Sequence, residues 1–154
     1  MRLTAEVRPE CRVTLAALET VHQSWAVDMR APEPNAPGSS GIQAKATTGT
    51  VGTYSGIYEY ELNLDASLRL RDVLEDRGFS VLLTREDNET AISNAERAVL
   101  ANEAGADVLL RIHANGSEDP AAAGALALVP SSEYVYGGAV ADESARLADT
   151  VLTS

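Results

Sequence analysis

The run Asp107-Val108-Leu109-Leu110-Arg111-Ile112-His113-Ala114-Asn115-Gly116-Ser117 constrains the fold more than any other stretch of the chain. Its first half is a short apolar run of β-formers, which reads as a strand. Its second half passes through histidine, asparagine and glycine, which is how a strand runs out into a loop. Open α/β sheets keep their ligands at the carboxyl ends of strands. His113 therefore stands where a ligand residue is expected. The chain has one other histidine, His22. It too follows an apolar run, Cys11-Arg12-Val13-Thr14-Leu15-Ala16-Ala17-Leu18, which reads as the first strand.

The segments between them alternate. Glu59 to Arg77 carries Leu62, Ala66, Leu70 and Val73/Leu74 at three- and four-residue spacing, with Leu64 and Leu68 widening the stripe. That period predicts a helix, ended by Gly78. Phe79 to Arg85 reads as a second strand. Ser93-Asn94-Ala95-Glu96 is a capping box that opens another helix near Asn94, ending at Gly105. Gly124 to Val129 reads as a further strand, and Asp142 to Leu152 as a last helix. Strands and helices in this order, joined by short links, predict an α/β fold. The expected sheet is mixed and mainly parallel, with helices on both faces. Residues 1–10 read as an N-terminal extension and 11–154 as one domain, with no internal repeat.

One connection is too long to be a turn. Asp28 to Gly56 includes Ala31-Pro32-Glu33-Pro34-Asn35-Ala36-Pro37-Gly38-Ser39-Ser40-Gly41, which is rich in turn formers and has no sustained period. Such a segment is either a mobile surface loop or a substrate-lining one. It is not a phosphate loop, because no Gly-Lys-Ser/Thr follows its glycines.

Charge and cysteine usage remove several classes of function. The formal net charge is −11, which argues against nucleic acid or an anionic membrane surface as partner. The single cysteine, Cys11, permits neither a disulfide within the chain nor a cysteine-based zinc site. No run approaches the roughly 20 apolar residues of a membrane span. Met1 to Glu10 has no apolar core of a secretory signal.

Two histidines at strand ends and a carboxylate at a helix start are the ligand types of a catalytic zinc site, which keeps a further position for water. Spacing alone favours reading each histidine as a surface or hydrogen-bonded residue over a ligand. Glu59 and Glu61 compete for the carboxylate position. They lie about 200° apart around a helix, so both cannot face one metal.

The wider series is more specific. Gly56-Ile57-Tyr58-Glu59-Tyr60-Glu61-Leu62-Asn63-Leu64, then Thr84-Arg85, then Arg97 with Ala101-Asn102, then Ile112-His113-Ala114-Asn115, follow in order. This series resembles the zinc-dependent N-acetylmuramoyl-L-alanine amidases of the family 3 type, which cut peptidoglycan. The resemblance runs roughly from His22 to Leu152. It implies Zn2+ held by His22, Glu59 and His113, with Glu61 a solvated helix residue. It implies hydrolysis of the amide between N-acetylmuramic acid and L-alanine, and an extracellular or cell-envelope setting. Asn115 is a substrate contact or a loop anchor. Arg111 meets a substrate carboxylate or forms an internal salt bridge. Arg97 and Asn102 serve the fold, as an ion pair or a turn-forming pair.

Two departures from the family pattern stand out. The family has Asp-x-Gly-His at its first ligand, where this chain has Glu19-Thr20-Val21-His22. Valine cannot take the backbone angles open to glycine, so His22 is expected to be displaced. The family's catalytic glutamate sits on a late strand, beyond the helix that here ends near Leu152. Glu133 and Glu143 do not lie in that context, so no general base is assigned. A domain lacking its last strand is expected to expose a sheet edge and to self-associate. The rival expectations are an impaired zinc- or peptidoglycan-binding remnant of such an amidase, and a metal-free α/β domain whose histidines are structural.

Overall fold

The computed structural model describes residues 15–119, 121–133, 138 and 140–153. The described residues form two compact units divided between Gly116 and Ser117.

The first unit is built on a three-stranded parallel sheet: β1 (Leu15–Thr20), β4 (Ser80–Leu83) and β5 (Val108–Ile112). Between β1 and β4 lie the short strands β2 (Pro32–Pro34) and β3 (Ile42–Ala44) and the helix α1 (Glu59–Glu75). Helix α2 (Asn94–Glu103) joins β4 to β5. The strand order is β4-β1-β5. The small apolar residues Ala16, Ala17 and Leu18 are buried in the central strand. Leu18 pairs with Leu83 on one side and Leu110 on the other. The chain leaves β1 toward β4 and then crosses back past β1 to reach β5. The connections therefore reverse direction at β1, and the crevice beyond the carboxyl ends of β1 and β5 is a topological switch point. His22 and His113 follow those two ends.

The mixed α/β fold with a parallel sheet agrees with the sequence, and several details differ. Residues 1–14, including the expected N-terminal extension and the start of the first strand at Cys11, lie outside the described residues. The strand itself runs on to Thr20 rather than ending at Leu18. The long connection contains an antiparallel hairpin, with Pro32 opposite Ala44 and Pro34 opposite Ile42. Its Glu33 is buried and accepts a hydrogen bond from the Ala95 N–H at the start of α2. That contact replaces the local periodicity that the segment lacks.

Helix α1 packs against β1, β4 and β5, on a face shifted from the stripe read from its leucines, of which Ala66, Leu70 and Leu74 are half-buried. Leu62 and Val73 are exposed, whereas Tyr60, Asn63 and Ser67 are buried. The helix is thus turned so that small polar residues face the sheet. Hydrophobicity misplaced that face because Asn63 and Ser67 contribute nothing to an apolar stripe. Helix α2 begins as expected. Ser93 Oγ accepts from the Glu96 N–H at 3.1 Å, and Glu96 accepts from the Ser93 N–H at 2.7 Å.

In the second unit, α3 spans Ala141–Leu152, close to the expected helix. The expected strand at 124–129 is not formed. That segment is irregular and no β-partner is recorded for it among the described residues. Leu126 and Leu128 are exposed. A short apolar run becomes a strand only when a neighbour accepts its backbone hydrogen bonds. No helix among the described residues is long and apolar enough to cross a membrane.

Candidate metal centre

Each corner of the site comes from the end of a regular element. His22 lies two residues past β1, Glu59 is the first residue of α1, and His113 directly follows β5. Their facing atoms form a nearly equilateral triangle. His22 Nε2 lies 3.3 Å from Glu59 Oε1, His113 Nδ1 lies 3.1 Å from Glu59 Oε1, and the two imidazole nitrogens are 3.2 Å apart. Zinc bonds of about 2.0–2.1 Å in tetrahedral geometry put neighbouring ligand atoms about 3.3 Å apart. The three residues therefore fit one face of such a tetrahedron. The carboxylate of Glu59 is buried, with a side-chain exposure of 4%, and that of His113 is 38%. The site thus opens toward solvent on the His113 side.

His22 is the one non-glycine residue with positive φ among the described residues, at 65°. Histidine tolerates this left-handed region better than most side chains, and such backbone strain is found at functional sites. The left-handed turn thus falls on the histidine itself. Val21 is fully buried and needs no glycine-like angles. His22 reaches Glu59 and His113 with valine before it, because Val21 is not the residue that turns the chain.

The His22 ring is held from behind. Its Nδ1 lies 2.9 Å from Thr47 Oγ1 and 3.2 Å from the Thr47 carbonyl. Donation from Nδ1 to the carbonyl leaves the Nε2 lone pair pointing into the triangle. Burial and neighbouring His113 and Arg97 push the imidazole's pKa down against the pull of Glu59 and the Thr47 bond, favouring the neutral form.

Glu59 is held as an anion. Burial raises its pKa, but hydrogen bonds from the Thr50 and Ala114 N–H groups, with His22 and His113 beside it, outweigh burial and hold it at about 2. Thr50 Oγ1 lies 3.1 Å from Oε2 and 3.0 Å from the Ala114 carbonyl, and its single proton is shared between these two acceptors. Glu61, the competing carboxylate, turns away and caps α1 by accepting from the Tyr58 N–H at 3.1 Å. Gly49 packs against the site with φ 73°. A Cβ there would lie 2.5 Å from Glu59 Oε2 and 2.8 Å from His22 Cδ2. Gly49, Thr47 and Thr50 belong to the long connection. No local signal distinguished them from its other glycines and threonines.

Two clefts are lined in part by residues of the triangle. One, of about 280 Å³, is lined by Thr50, Ile57, Glu59, Leu62 and Asn115 among others. The other, of about 230 Å³, is lined by His22, His113, Arg111, Asn94 and Thr47 among others. Arg111 reaches the buried Glu19 at 3.1 Å and keeps about half of its side chain exposed. Arg97 is buried and donates to the carbonyls of Thr20 and Ile92. Glu143 pairs with Arg146 on α3.

Residues 37–154 match the profile of the family described as N-acetylmuramoyl-L-alanine amidase, Amidase_3. The chain belongs to this amidase family. The match includes Glu59 and His113 and begins after His22. Among curated proteins, AmiA of Escherichia coli (strain K12), an N-acetylmuramoyl-L-alanine amidase, is 36% identical over 89 residues. That span is 58% of this chain and 29% of AmiA. The amidase Ami1 of Mycobacterium smegmatis has a similar fold, with TM-score 0.61 at 24% identity, over 68% of this chain and 48% of Ami1. An N-acetylmuramoyl-L-alanine amidase of Clostridium difficile 630 is similar at TM-score 0.52 and 26% identity, over 72% of this chain and 48% of that one. The present chain thus spans about half the length of these solved amidases and under a third of AmiA.

Proposed function

We propose that this chain is the zinc-binding part of a peptidoglycan amidase, which hydrolyses the amide between N-acetylmuramic acid and L-alanine. The observation that carries this reading is the triangle of His22 Nε2, Glu59 Oε1 and His113 Nδ1, with edges of 3.1–3.3 Å. Membership of the amidase family supports it. Zinc held by these three residues would polarise the amide carbonyl and make water acidic enough to react near neutral pH.

The chain's own groups bind and orient. Glu59 brings a carboxylate that is already ionised, so no proton has to leave before metal enters. Thr47 fixes the tautomer and tilt of His22. Asn115, in one cleft, offers an amide to the substrate's polar groups. Arg111, in the other, offers its guanidinium to a carboxylate of the stem peptide while Glu19 steadies it. No general base is assigned within the chain. The activity implies a cell-envelope setting.

The test is zinc per chain in purified protein, beside release of new amino termini from isolated cell wall. One zinc, with release lost on chelation and restored by zinc, supports the proposal. Protein that stays zinc-free after metal is supplied overturns it. Zinc with wall binding but no release would leave a binding module. A second expectation follows from Thr47. Thr47→Val keeps the carbonyl and loses the hydroxyl, so zinc affinity is expected to fall about tenfold. Competition with a chromophoric chelator measures this, and an unchanged constant would show that the Thr47 hydroxyl plays no part in the site.

A further inference from the structure

We infer that Arg85 is a positioning residue for the metal centre, tying the backbone that carries His22 to the backbone that carries Glu59. This rests on the zinc reading above. Arg85 follows β4 and is buried. Its Nε donates to the Thr20 carbonyl at 3.0 Å. Its Nη2 donates to the Val21 carbonyl at 3.3 Å and to the Tyr60 carbonyl at 2.7 Å. Thr20 and Val21 lead directly into His22, and Tyr60 directly follows Glu59. One planar group thus spans the chain beside two corners of the triangle. Its outer edge is fixed as well, with Nη1 donating to the Asp87 carbonyl at 2.7 Å and to Asn88 Oδ1 at 2.8 Å.

The chemistry of these contacts favours geometry over charge as the reason for an arginine. Its recorded hydrogen bonds go to backbone carbonyls and one side-chain amide, none to a carboxylate. The Asp87 carboxylate acts on this buried cation only through space, without a hydrogen bond to it. A guanidinium offers five N–H donors in a rigid fork, which can hold several carbonyls at fixed separation. A lysine ammonium occupies a similar volume as a point charge and cannot span them. The strained φ of His22 is the kind of conformation that persists only when its surroundings over-determine it. Arg97, donating to the same Thr20 carbonyl, reinforces one side of this tie and does not reach α1's first turn by any recorded bond.

The experiment measures zinc affinity by chelator competition in the wild type and in Arg85→Lys, with the visible spectrum of the cobalt-substituted proteins as a second readout. Arg85→Lys is expected to bind zinc at least about tenfold more weakly, with an altered cobalt spectrum and a retained circular-dichroism signature. Ser93→Ala, which loosens the start of α2, is the comparison for destabilisation alone and is expected to keep wild-type zinc affinity. A folded Arg85→Lys with wild-type affinity and spectrum overturns the inference. So does a Ser93→Ala whose affinity falls in step with its stability. If Arg85→Lys does not fold, Asn88→Ala removes one outer acceptor of the guanidinium. It is expected to weaken zinc binding by less, and unchanged affinity overturns the inference. A wild type that binds no zinc defeats the zinc reading itself, whereas wild-type binding with an indifferent Arg85→Lys defeats only the role of Arg85.

Discussion

Glu59→Ala is expected to abolish zinc binding and to destabilise the metal-free protein by about 2–4 kcal/mol. A metal held in the triangle would lose its only carboxylate ligand there. The larger point concerns the metal-free state. Glu59 accepts hydrogen bonds from the Thr50 N–H at 2.9 Å, Thr50 Oγ1, the Ala114 N–H at 2.9 Å and His113 Nδ1. Alanine leaves the Thr50 and Ala114 N–H groups without their acceptor, while Thr50 Oγ1 keeps the Ala114 carbonyl, and each unpaired, partly buried donor costs about 1–3 kcal/mol. The loss also has a pH signature. The folded carboxyl is held at about 2 against an ordinary value of 4.5. Above 4.5 the group is ionised in both folded and unfolded chains, and its contacts count in full. Below that value the unfolded chain takes up the proton first, so this stability drains away as pH falls toward 2. Urea unfolding of the metal-free proteins between pH 6 and 3 measures both effects. Glu59→Ala should start lower and lose less on acidification. Equal curves would mean that the carboxylate does not organise the site.

Gly49→Ala is the second large expectation. Two costs fall on this substitution. The residue has φ 73°, which costs an L-residue about 1–2 kcal/mol. The new methyl would also lie 2.5 Å from a buried carboxylate oxygen and 2.8 Å from the His22 ring, so the ligands themselves must shift. Gly56 separates the two costs. Its φ is 69°, and a Cβ there meets nothing within 4 Å. Gly56→Ala should therefore lose about 1–2 kcal/mol and keep wild-type zinc affinity. Gly49→Ala should lose more stability and weaken zinc binding by about a hundredfold. Calorimetric unfolding with zinc titration compares the pair. Matching zinc affinities in the two variants would show that Gly49 serves only the turn.

What could be read in the sequence lies within a few residues along the chain. The capping box at Ser93 and Glu96 is a three-residue relation, and the helix and strand periods are local in the same way. They placed α1, β4, α2 and β5 within a few residues. The ordered series from Gly56 to Asn115 carried the family likeness, which extends back to His22 and implied the three residues that the fold brings together. The single apolar run at 124–129 shows the limit of that logic, since nothing within the run says whether a neighbouring strand exists.

The sequence by itself determined the alternation of strands and helices, the helix starts and the chemical types of the candidate ligands. Each depends on near neighbours or on a residue's own chemistry. Only the tertiary structure decided which loop residues support those ligands. Thr47, Gly49 and Thr50 act across 9 to 64 positions of chain, and Arg85 reaches back 65 positions to Thr20. It also decided that α1 turns Asn63 and Ser67 inward and that the left-handed turn falls on His22. Such contacts follow from how the strand ends converge at the switch point, and no period along the chain records that convergence.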